Sequence, residues 1–305
     1  MRIVYLGTPD FAVKPLMKLI DSGYDVIAVV TNRDKPVGRK RVLTPPPVKS
    51  FAVERNISVY QYDKIRIEGL EEIKKLNPDL MITCAFGQIL SQEIIDIPRL
   101  GVINIHASIL PKYRGASPIH YAVLNGEKTT GITIMKTDVG IDTGDIILQE
   151  ETDIGGGETC GELFDRLSDL GAECIIKALP LIENGKATFT KQDDDKATFT
   201  KIIRKEDAKI DFNSSAVDVY NKIRAFNPAP IAYCTLNGEP FKIYSAEIVG
   251  ISGVPGTVIR ADKELVIACG SGAISLKKVQ KAGGNAMDVS DFLRGNKFNV
   301  GEDFI

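Results

Sequence analysis

The chain has 305 residues, of which 44% are hydrophobic and 26% are charged, and its formal net charge is -2. This composition is typical of a folded globular protein, and the length suggests two domains. The balance of charge excludes a chain that is basic throughout, although a local basic patch could still bind nucleic acid. Because no apolar run reaches the roughly 18 residues of a membrane span, we expect a cytoplasmic protein without membrane contact.

The cysteines and histidines argue against a disulfide framework and against a metal site. Cysteine occurs at five widely spaced positions without a C-x-x-C pair: Cys84, Cys160, Cys174, Cys234 and Cys269. An odd number at such spacings predicts reduced thiols in or near the core of a cytosolic protein. The two histidines, His106 and His120, are too few for a His-rich metal site.

The first part of the chain alternates short apolar strands with helices. Apolar and β-branched runs predict strands at 2–6, 25–31, 57–60, 80–85 and 101–106. Capped or amphipathic stretches predict helices from about residue 10 to 22, at 48–55, at 67–76 and at 160–181. Near-continuous apolar strands separated by helices indicate a parallel sheet that is covered on both faces and binds ligands at the carboxyl ends of its strands.

The polar stretch 186–203 separates this pattern from a different one. It contains Lys-Ala-Thr-Phe-Thr-Lys twice, at 186–191 and 196–201, and we interpret it as an interdomain linker between domains at 1–185 and 204–305.

The last part of the chain has the pattern of a small β-barrel. After a helix at 216–225, short strands are predicted at 231–236, 241–248, 257–259, 264–268 and 273–279. The first two are joined by Asn237-Gly238, a strong hairpin signal. Such strands favour an OB-like barrel, a fold that often binds nucleic acid.

The first strand–helix turn disfavours a dinucleotide site. Gly7-Thr8-Pro9-Asp10-Phe11 has one glycine where a dinucleotide fingerprint has G-x-G-x-x-G. The backbone therefore could not approach a pyrophosphate closely, which argues against a nicotinamide-dependent dehydrogenase.

Two polar residues at a strand end form the first candidate site. Asn104 and His106 lie two residues apart, so both side chains point to the same face at the ligand-binding edge of the sheet. An amide can donate to a developing oxyanion, and an imidazole can move or stabilise a proton. The spacing alone is equally compatible with two hydrogen-bonded polar groups that have no catalytic role.

Carboxylates in the glycine-containing loop 137–145 form a second candidate. Asp138, Asp142 and Asp145 could support a histidine, bind a metal or be solvated, and the residues alone do not choose among these alternatives. Their spacing does not fit a calcium-binding loop.

The stretch 31–49 is basic and rich in turn-forming residues. It contains one acid, Asp34, among the basic residues Arg33, Lys35, Arg39, Lys40, Arg41 and Lys49. Because Pro36, Gly38 and the prolines at 45–47 oppose helix and strand pairing, we expect a mobile loop at the ligand-binding end of the sheet. A solvated basic connection is the alternative.

Together these segments resemble the methionyl-tRNA formyltransferase family. The resemblance extends over nearly the whole chain and is carried by residues 7–11, 34–49, 104–115, 138–145 and 224–228. It implies a Rossmann-like formyltransferase domain followed by an OB-like C-terminal domain. It also implies transfer of the formyl group of 10-formyltetrahydrofolate to the α-amine of methionyl-initiator-tRNA in translation initiation. We expect a monomer that needs no metal.

The resemblance assigns a role to each site residue. Asn104 would donate to the oxyanion, His106 would stabilise charge and assist proton transfer, and Asp142 would orient the imidazole. The folate-binding residues would be Phe86, Gly87, Gln88, Ile89, Leu90, Ser108, Ile109, Leu110 and Pro111. The last four replace the usual Ser-Leu-Leu-Pro with Ser-Ile-Leu-Pro, which keeps size and polarity.

The resemblance also places the nucleic-acid contacts. Arg39, Lys40 and Arg41 would bind tRNA, with Arg39 as the critical residue. A second tRNA surface would be formed by basic residues near the C-terminus: Lys277, Lys278, Lys281, Arg294 and Lys297. His120 follows a helix start at Ser117-Pro118 and is expected to be structural.

Two other functions compete with this one. The alternative is a sugar-nucleotide N-formyltransferase that uses the same donor and the same three catalytic residues. A non-enzymatic RNA-binding protein is disfavoured because Asn104, His106 and Asp142 are all present.

Overall fold

A computed structural model describes residues 1–38 and 40–305. The chain forms two compact units. The first comprises Met1–Pro118, Thr129–Asp153 and Phe164–Lys201, and the second comprises Ile119–Lys128, Ile154–Leu163 and Ile202–Ile305. In the part of the chain that the structure describes, no helix is long and apolar enough to cross a membrane.

Strands and helices alternate along most of the chain. In chain order the strands are β1 (Arg2–Gly7), β2 (Asp25–Thr31), β3 (Lys35–Val37), β4 (Val42–Thr44), β5 (Ser58–Gln61), β6 (Leu80–Cys84), β7 (Val102–His106), β8 (Arg114–Gly115), β9 (Thr129–Lys136), β10 (Ile146–Asp153), β11 (Phe199–Thr200), β12 (Tyr233–Leu236), β13 (Glu239–Val249), β14 (Val258–Ala261), β15 (Leu265–Ala268), β16 (Ala273–Lys281) and β17 (Met287–Asp288). The helices are α1 (Val13–Asp21), α2 (Pro47–Glu54), α3 (Ile65–Glu68), α4 (Leu70–Leu76), α5 (Gln92–Ile95), α6 (Pro118–Leu124), α7 (Cys160–Glu183), α8 (Ala216–Ala225) and α9 (Val289–Gly295).

The first unit is built on a sheet with the strand order β10-β9-β7-β6-β1-β2-β5. The strands from β7 to β5 are parallel, which confirms the predicted parallel sheet. Most apolar side chains of β1, β2, β6 and β7 are buried, as expected of a sheet that is covered on both faces. Sequence analysis misses β9 and β10, which extend the sheet in antiparallel fashion beyond β7. The parallel neighbours β1, β6 and β7 end at one edge, so the segments that follow them lie close together.

Two elements of the first unit differ from expectation. The helix predicted at 67–76 is divided at Gly69, where a Cβ atom would lie 2.7 Å from the Ile65 side chain. The expectation that 31–49 forms no strand ladder is wrong, because β3 and β4 pair as an antiparallel hairpin. Pro36 is accommodated because each strand of a two-stranded ribbon has a free edge.

The segment 186–203 joins the two units, as a linker would, but most of it is built into the first unit. Thr190 forms a bridge with Ile146, and β11 pairs in parallel with β8. The polar side chain of Gln192 is buried. The domain limits at 185 and 204 remain a prediction.

The second unit contains an antiparallel half-barrel. Its sheet has the order β12-β13-β16-β15-β14, with β17 paired to β16. The predicted hairpin turn is confirmed, since Asn237 and Gly238 both have positive φ angles, as a two-residue turn requires. Helix α8 has the predicted bounds, begins after a Ser215 cap and packs its apolar face on the sheet. All five cysteines of the chain are buried, as expected from their spacing.

Candidate active site

The site forms at the carboxyl end of β7, where Asn104 is half-buried and His106 is almost fully buried. Asn104 lies beside Thr83 of the neighbouring parallel strand, and the Thr83 hydroxyl donates to Asn104 Oδ1 at 2.9 Å. This contact orients the amide, so that Nδ2 points away from Thr83 and lies 3.3 Å from Asp142 Oδ1.

The ring of His106 faces an oxygen atom at each of its two nitrogens. Its Nε2 lies 3.0 Å from the backbone carbonyl oxygen of Tyr113, and its Nδ1 lies 3.6 Å from Asp142 Oδ2. A carbonyl oxygen can only accept, so Nε2 carries a proton and donates it. The distance at Nδ1 exceeds hydrogen-bond length but lies within the range of an ion pair with the carboxylate.

Asp142 is positioned by its backbone as well as by its side chain. Its φ of 53° lies in the left-handed region, which residues other than glycine seldom occupy. Oδ2 accepts a hydrogen bond of 2.8 Å from the Gly115 amide, while Oδ1 faces Asn104. One carboxylate therefore connects the strand end that carries Asn104 and His106 with the segment that follows it.

The structure distinguishes the three loop carboxylates, among which the residue pattern alone does not choose and of which the family resemblance indicates Asp142. Asp138 is exposed, and its Oδ1 closes its own loop by accepting from the Gly140 amide and the Thr143 hydroxyl. Asp145 uses its backbone carbonyl to pair with the Lys136 amide. The Asp142 carboxylate is the one directed at both Asn104 and His106.

The first group of predicted folate residues, 86–90, follows β6 and is fastened to the fold. The Phe86 carbonyl accepts from Thr8 and Asn32, and the Gln88 amide binds Asn32, the Tyr62 carbonyl and the Ile65 backbone amide. Phe86 and Leu90 are buried, and Gly87 has a φ of 75°. Ile89 differs from these residues, because 64% of its surface is exposed.

The second group, 108–111, is fastened to β9. The Thr133 hydroxyl donates to the Ser108 carbonyl at 2.7 Å and accepts from the Leu110 amide at 3.2 Å. The Ser108 hydroxyl donates to the Lys112 carbonyl, and the Leu110–Pro111 peptide is cis. Ile109 and Pro111 are half-buried.

Two of the predicted tRNA-binding residues, Lys40 and Arg41, lie in the turn of the β3–β4 hairpin. Lys40 and Arg41 are exposed, and the Arg41 amide donates to the Gly38 carbonyl to close the turn. Arg39 lies outside the described residues. At the base of the hairpin, Lys49 donates to both Asp34 carboxylate oxygens at 2.8 Å, and this contact lowers the pKa of Asp34.

Other predicted residues lie in the second unit. His120 is in α6, as the Ser117-Pro118 signal indicates, and its burial lowers its pKa. The basic residues Lys278, Lys281, Arg294 and Lys297 are exposed. Lys277 pairs with Glu247 and Arg294 pairs with Asp291, so acidic partners offset part of this positive charge.

Sequence reasoning missed Thr83 and Thr133, which orient Asn104 and the 108–110 backbone. A signal for both exists, because each is a threonine in an otherwise apolar buried strand, opposite Asn104 and His106 respectively. Within residues 1–38 and 40–305, no group of three His, Cys, Asp or Glu side chains could hold a metal ion.

Comparison with known proteins identifies the family. A family model described as "Formyl transferase" matches residues 1–179, and one described as "Formyl transferase, C-terminal domain" matches residues 202–297. The methionyl-tRNA formyltransferase of Geobacter sulfurreducens is 45% identical over 303 residues, which cover 99% of this chain and 96% of that protein. The corresponding enzyme of Staphylococcus epidermidis is 48% identical and covers 96% of both chains.

The chain belongs to the methionyl-tRNA formyltransferase family.

Family membership confirms the predicted fold and shows that the chain is an enzyme of formyl transfer. Sugar formyltransferases are more distant. The solved structure of WlaRD, a sugar 3N-formyl transferase described with dTDP and 5-N-formyl-THF, is 25% identical with a TM-score of 0.70, and the match covers 93% of this chain and 99% of that one. The difference in identity separates the family of this chain from the sugar enzymes that share its fold.

Proposed function

We propose that the chain transfers the formyl group of 10-formyltetrahydrofolate to the α-amine of methionyl-initiator-tRNA, with Asn104, His106 and Asp142 as catalytic residues. The observation that carries this proposal is the Asp142 carboxylate, which faces the Asn104 amide and the His106 imidazole together. The relatives at 45% and 48% identity support the choice of substrate. We further propose that the enzyme acts as a monomer in the cytoplasm, where translation begins.

The reaction needs charge stabilisation and proton transfer. The amine nitrogen forms a bond to the formyl carbon, and the carbonyl electrons move onto oxygen. When the oxyanion collapses, the bond between the formyl carbon and the folate nitrogen breaks. The amine loses one proton and the departing nitrogen gains one, so the exchange balances without an oxidant or reductant.

Asn104 is suited to stabilise the oxyanion. Its Oδ1 is occupied by the Thr83 hydroxyl, and one Nδ2 hydrogen is directed at Asp142. An amide nitrogen carries two hydrogens, so one N–H of Asn104 is available to donate to the developing oxyanion. Because Thr83 and Asp142 hold the amide before the substrate arrives, little reorganisation accompanies the reaction.

His106 is suited to stabilise charge, because both of its ring nitrogens face acceptors. An imidazolium donates from both nitrogens, and the Tyr113 carbonyl and the Asp142 carboxylate would accept from it. A positive ring at this strand end would lower the energy of the nearby oxyanion. Asp142, whose side chain is 17% exposed, can exchange protons through water between the amine and the leaving nitrogen.

The folate co-substrate would bind between the two fastened segments 86–90 and 108–111. Their polar side chains are already engaged with the protein, so the backbone and the exposed Ile89 are the groups left for a flat heterocycle. Val139 and Ile141, beside Asp142, are 64% and 62% exposed and add apolar surface near the reacting centre.

The tRNA would bind through the β3–β4 hairpin. Lys40 and Arg41 place positive charge at its turn, and Arg39 is the neighbour that the family resemblance marks as critical. A guanidinium can hold a phosphate or stack on an unpaired base of the acceptor end. Exposed Val37, Val42 and Leu43 give the hairpin an apolar surface as well.

The proposal is tested by offering the purified chain a radiolabelled formyl donor with one of three acceptors: methionyl-initiator-tRNA, methionyl-elongator-tRNA or an amino-sugar nucleotide. We expect label in the initiator tRNA, with a kcat/KM at least about 100-fold above that for the sugar. Label in the amino sugar alone would overturn the proposed substrate and would support the sugar-nucleotide alternative.

A further inference from the structure

A segment that sequence analysis interprets as a linker contacts both supports of the catalytic pair. We name residues 190–200 the strap. The supports are the Tyr113 carbonyl, which accepts from His106, and the Gly115 amide, which donates to Asp142. Both belong to the stretch 111–117, and the strap holds this stretch from one side.

The second half of the strap fixes the backbone around Tyr113 and Gly115. The Thr198 hydroxyl accepts from the Tyr113 amide at 2.8 Å, and the Thr198 carbonyl accepts from the Arg114 amide at 2.8 Å. The Thr200 hydroxyl then donates to the Arg114 carbonyl at 3.2 Å. These bonds fix the positions of the Tyr113 carbonyl, which accepts from His106, and of the Gly115 amide, which donates to Asp142.

Gln192 of the strap fixes the backbone of the loop that carries Asp142. Gln192 is 6% exposed, and its Nε2 donates to the Asp142 carbonyl at 2.8 Å and to the Gly144 carbonyl at 2.7 Å. Asp142 has a positive φ, a conformation that persists in a residue other than glycine only when its surroundings impose it. The two hydrogen bonds from one amide supply that restraint.

Arg114 holds Gln192 in place. The Arg114 side chain is 3% exposed, and its Nε and Nη2 donate to Gln192 Oε1 at 3.1 and 2.9 Å. Nη2 also pairs with Asp194, a strap residue, at 2.8 Å. The Gln192 amide therefore uses all of its hydrogen-bonding capacity: its oxygen accepts two bonds from Arg114, and its nitrogen donates two bonds to the loop carbonyls.

This arrangement gives the duplicated hexapeptide a structural account. Thr190 of the first copy pairs with Ile146, just after the Asp142 loop. Thr198 and Thr200 of the second copy pair with the stretch that contains Arg114. Each copy thus holds one side of the site, and Gln192 lies between the copies.

We propose that Gln192 is a positioning residue for Asp142 and that Arg114 locks Gln192 in the orientation this role requires. The inference rests on the proposed function, because it assumes that Asp142 is catalytic. Gln192 acts through the Asp142 backbone, so it affects turnover without taking part in substrate binding.

The decisive variant is Gln192→Glu. A carboxylate still accepts from Arg114, so the strap stays anchored, but it cannot donate to the two loop carbonyls and instead repels them. We expect kcat to fall by about 10- to 100-fold, because small misplacements of a reacting group cost this much. The KM values for both substrates should stay within about twofold of wild type.

Three further variants separate positioning from general damage. Gln280→Glu in β16 is the matched control, since Gln280 also accepts at Oε1, from Tyr244, and donates to a backbone carbonyl, that of Gly284. Its kcat at saturating substrates should be that of wild type. Arg114→Lys, which keeps one donor for Gln192, should give an intermediate kcat. In an Asp142→Asn background, Gln192→Glu should cause no additional loss.

The results distinguish a failure of the proposed function from a failure of the role proposed for Gln192. A wild-type enzyme that fails to formylate methionyl-initiator-tRNA would reject the proposed function. If the wild type is active, the inference is overturned when Gln192→Glu has the kcat of wild type. It is also overturned when Gln192→Glu lowers kcat by the same factor in the Asp142→Asn background as in the wild-type background. It is supported if Gln192→Glu, with a melting temperature near that of wild type, loses kcat only when Asp142 is present.

Discussion

Asp142 Oδ2 lies 3.6 Å from His106 Nδ1 and accepts a hydrogen bond of 2.8 Å from the Gly115 amide. The carboxylate is therefore anchored on the protein side while it faces the imidazole. A group held in this way can balance charge on the ring without moving during the reaction, as in other sites where a carboxylate orients a histidine.

The first prediction concerns the choice of carboxylate. Asp142→Asn keeps the shape of the side chain but removes the charge that faces His106, so we expect kcat to fall by about 10²- to 10⁴-fold. Asp138→Asn is the matched control, because Asp138 only closes its own loop. Steady-state formylation by both variants measures the difference, and a larger loss in Asp138→Asn would assign the role to Asp138 and contradict the role of Asp142.

Asn104 and His106 could be proposed as catalytic residues from the sequence because they are polar residues in an apolar pattern. Asn104 and His106 interrupt a buried strand, and their common face follows from the two-residue spacing. The choice among Asp138, Asp142 and Asp145 could not be made in that way. It depends on the path of an irregular loop, which is determined by contacts with Gly115 and Gln192, distant in sequence.

The second prediction concerns Arg39. Arg39→Ala should raise the KM for tRNA strongly and leave folate binding nearly unchanged, because the family resemblance assigns this residue to tRNA binding alone. Arg39→Lys should restore activity in part, since lysine keeps the charge but lacks a planar guanidinium. Initial rates at subsaturating tRNA provide the readout. Full activity of Arg39→Ala under that condition would contradict a role of Arg39 in tRNA binding.

The hairpin shows why local residue preferences do not predict the structure of the basic stretch 31–49. Prolines and glycines in 31–49 argue against secondary structure on local grounds. In the fold, Pro36 lies in a strand with a free edge, and Gly38 supplies the positive φ that the turn needs. Local preferences identified a turn correctly but could not show that the flanking residues pair with each other.

The third prediction concerns Arg224, which belongs to a stretch that carries the family resemblance. Its side chain is 6% exposed and donates to the carbonyls of Gly155, Glu158 and Val123 and to Asn221. Arg224→Ala would remove these four hydrogen bonds, of which those to Val123 and Asn221 are buried, and we expect the free energy of unfolding to fall by roughly 2–4 kcal/mol. Urea denaturation measures this change.

The matched control for Arg224 is Arg260, whose guanidinium forms a half-exposed ion pair with Glu264. Arg260→Ala should lower the free energy of unfolding by less than about 1 kcal/mol, because solvent screens such pairs. Equal losses in the two variants would contradict the assigned role of Arg224.

The fourth prediction concerns the pH dependence of stability. Burial lowers the pKa of His120, so over a window below its ordinary value the unfolded chain binds a proton that the folded chain does not. The neutral, buried imidazole of His120 therefore makes its full contribution to the free energy of unfolding above about pH 6.5. That contribution is lost as the pH falls through the lowered pKa. Melting temperatures of wild type and His120→Gln between about pH 7.5 and pH 5 test this. The wild type should lose more stability on acidification, and parallel curves would contradict the prediction.

The central claim is that the imidazole of His106, between Tyr113 and Asp142, is required for formyl transfer. The most direct measurement is the turnover of purified His106→Ala with methionyl-initiator-tRNA and 10-formyltetrahydrofolate, beside a circular-dichroism spectrum that verifies folding. Because the ring lies at a sheet edge, the fold should persist while kcat falls by about 10²- to 10⁴-fold. A folded His106→Ala enzyme with near-normal turnover would contradict the claim.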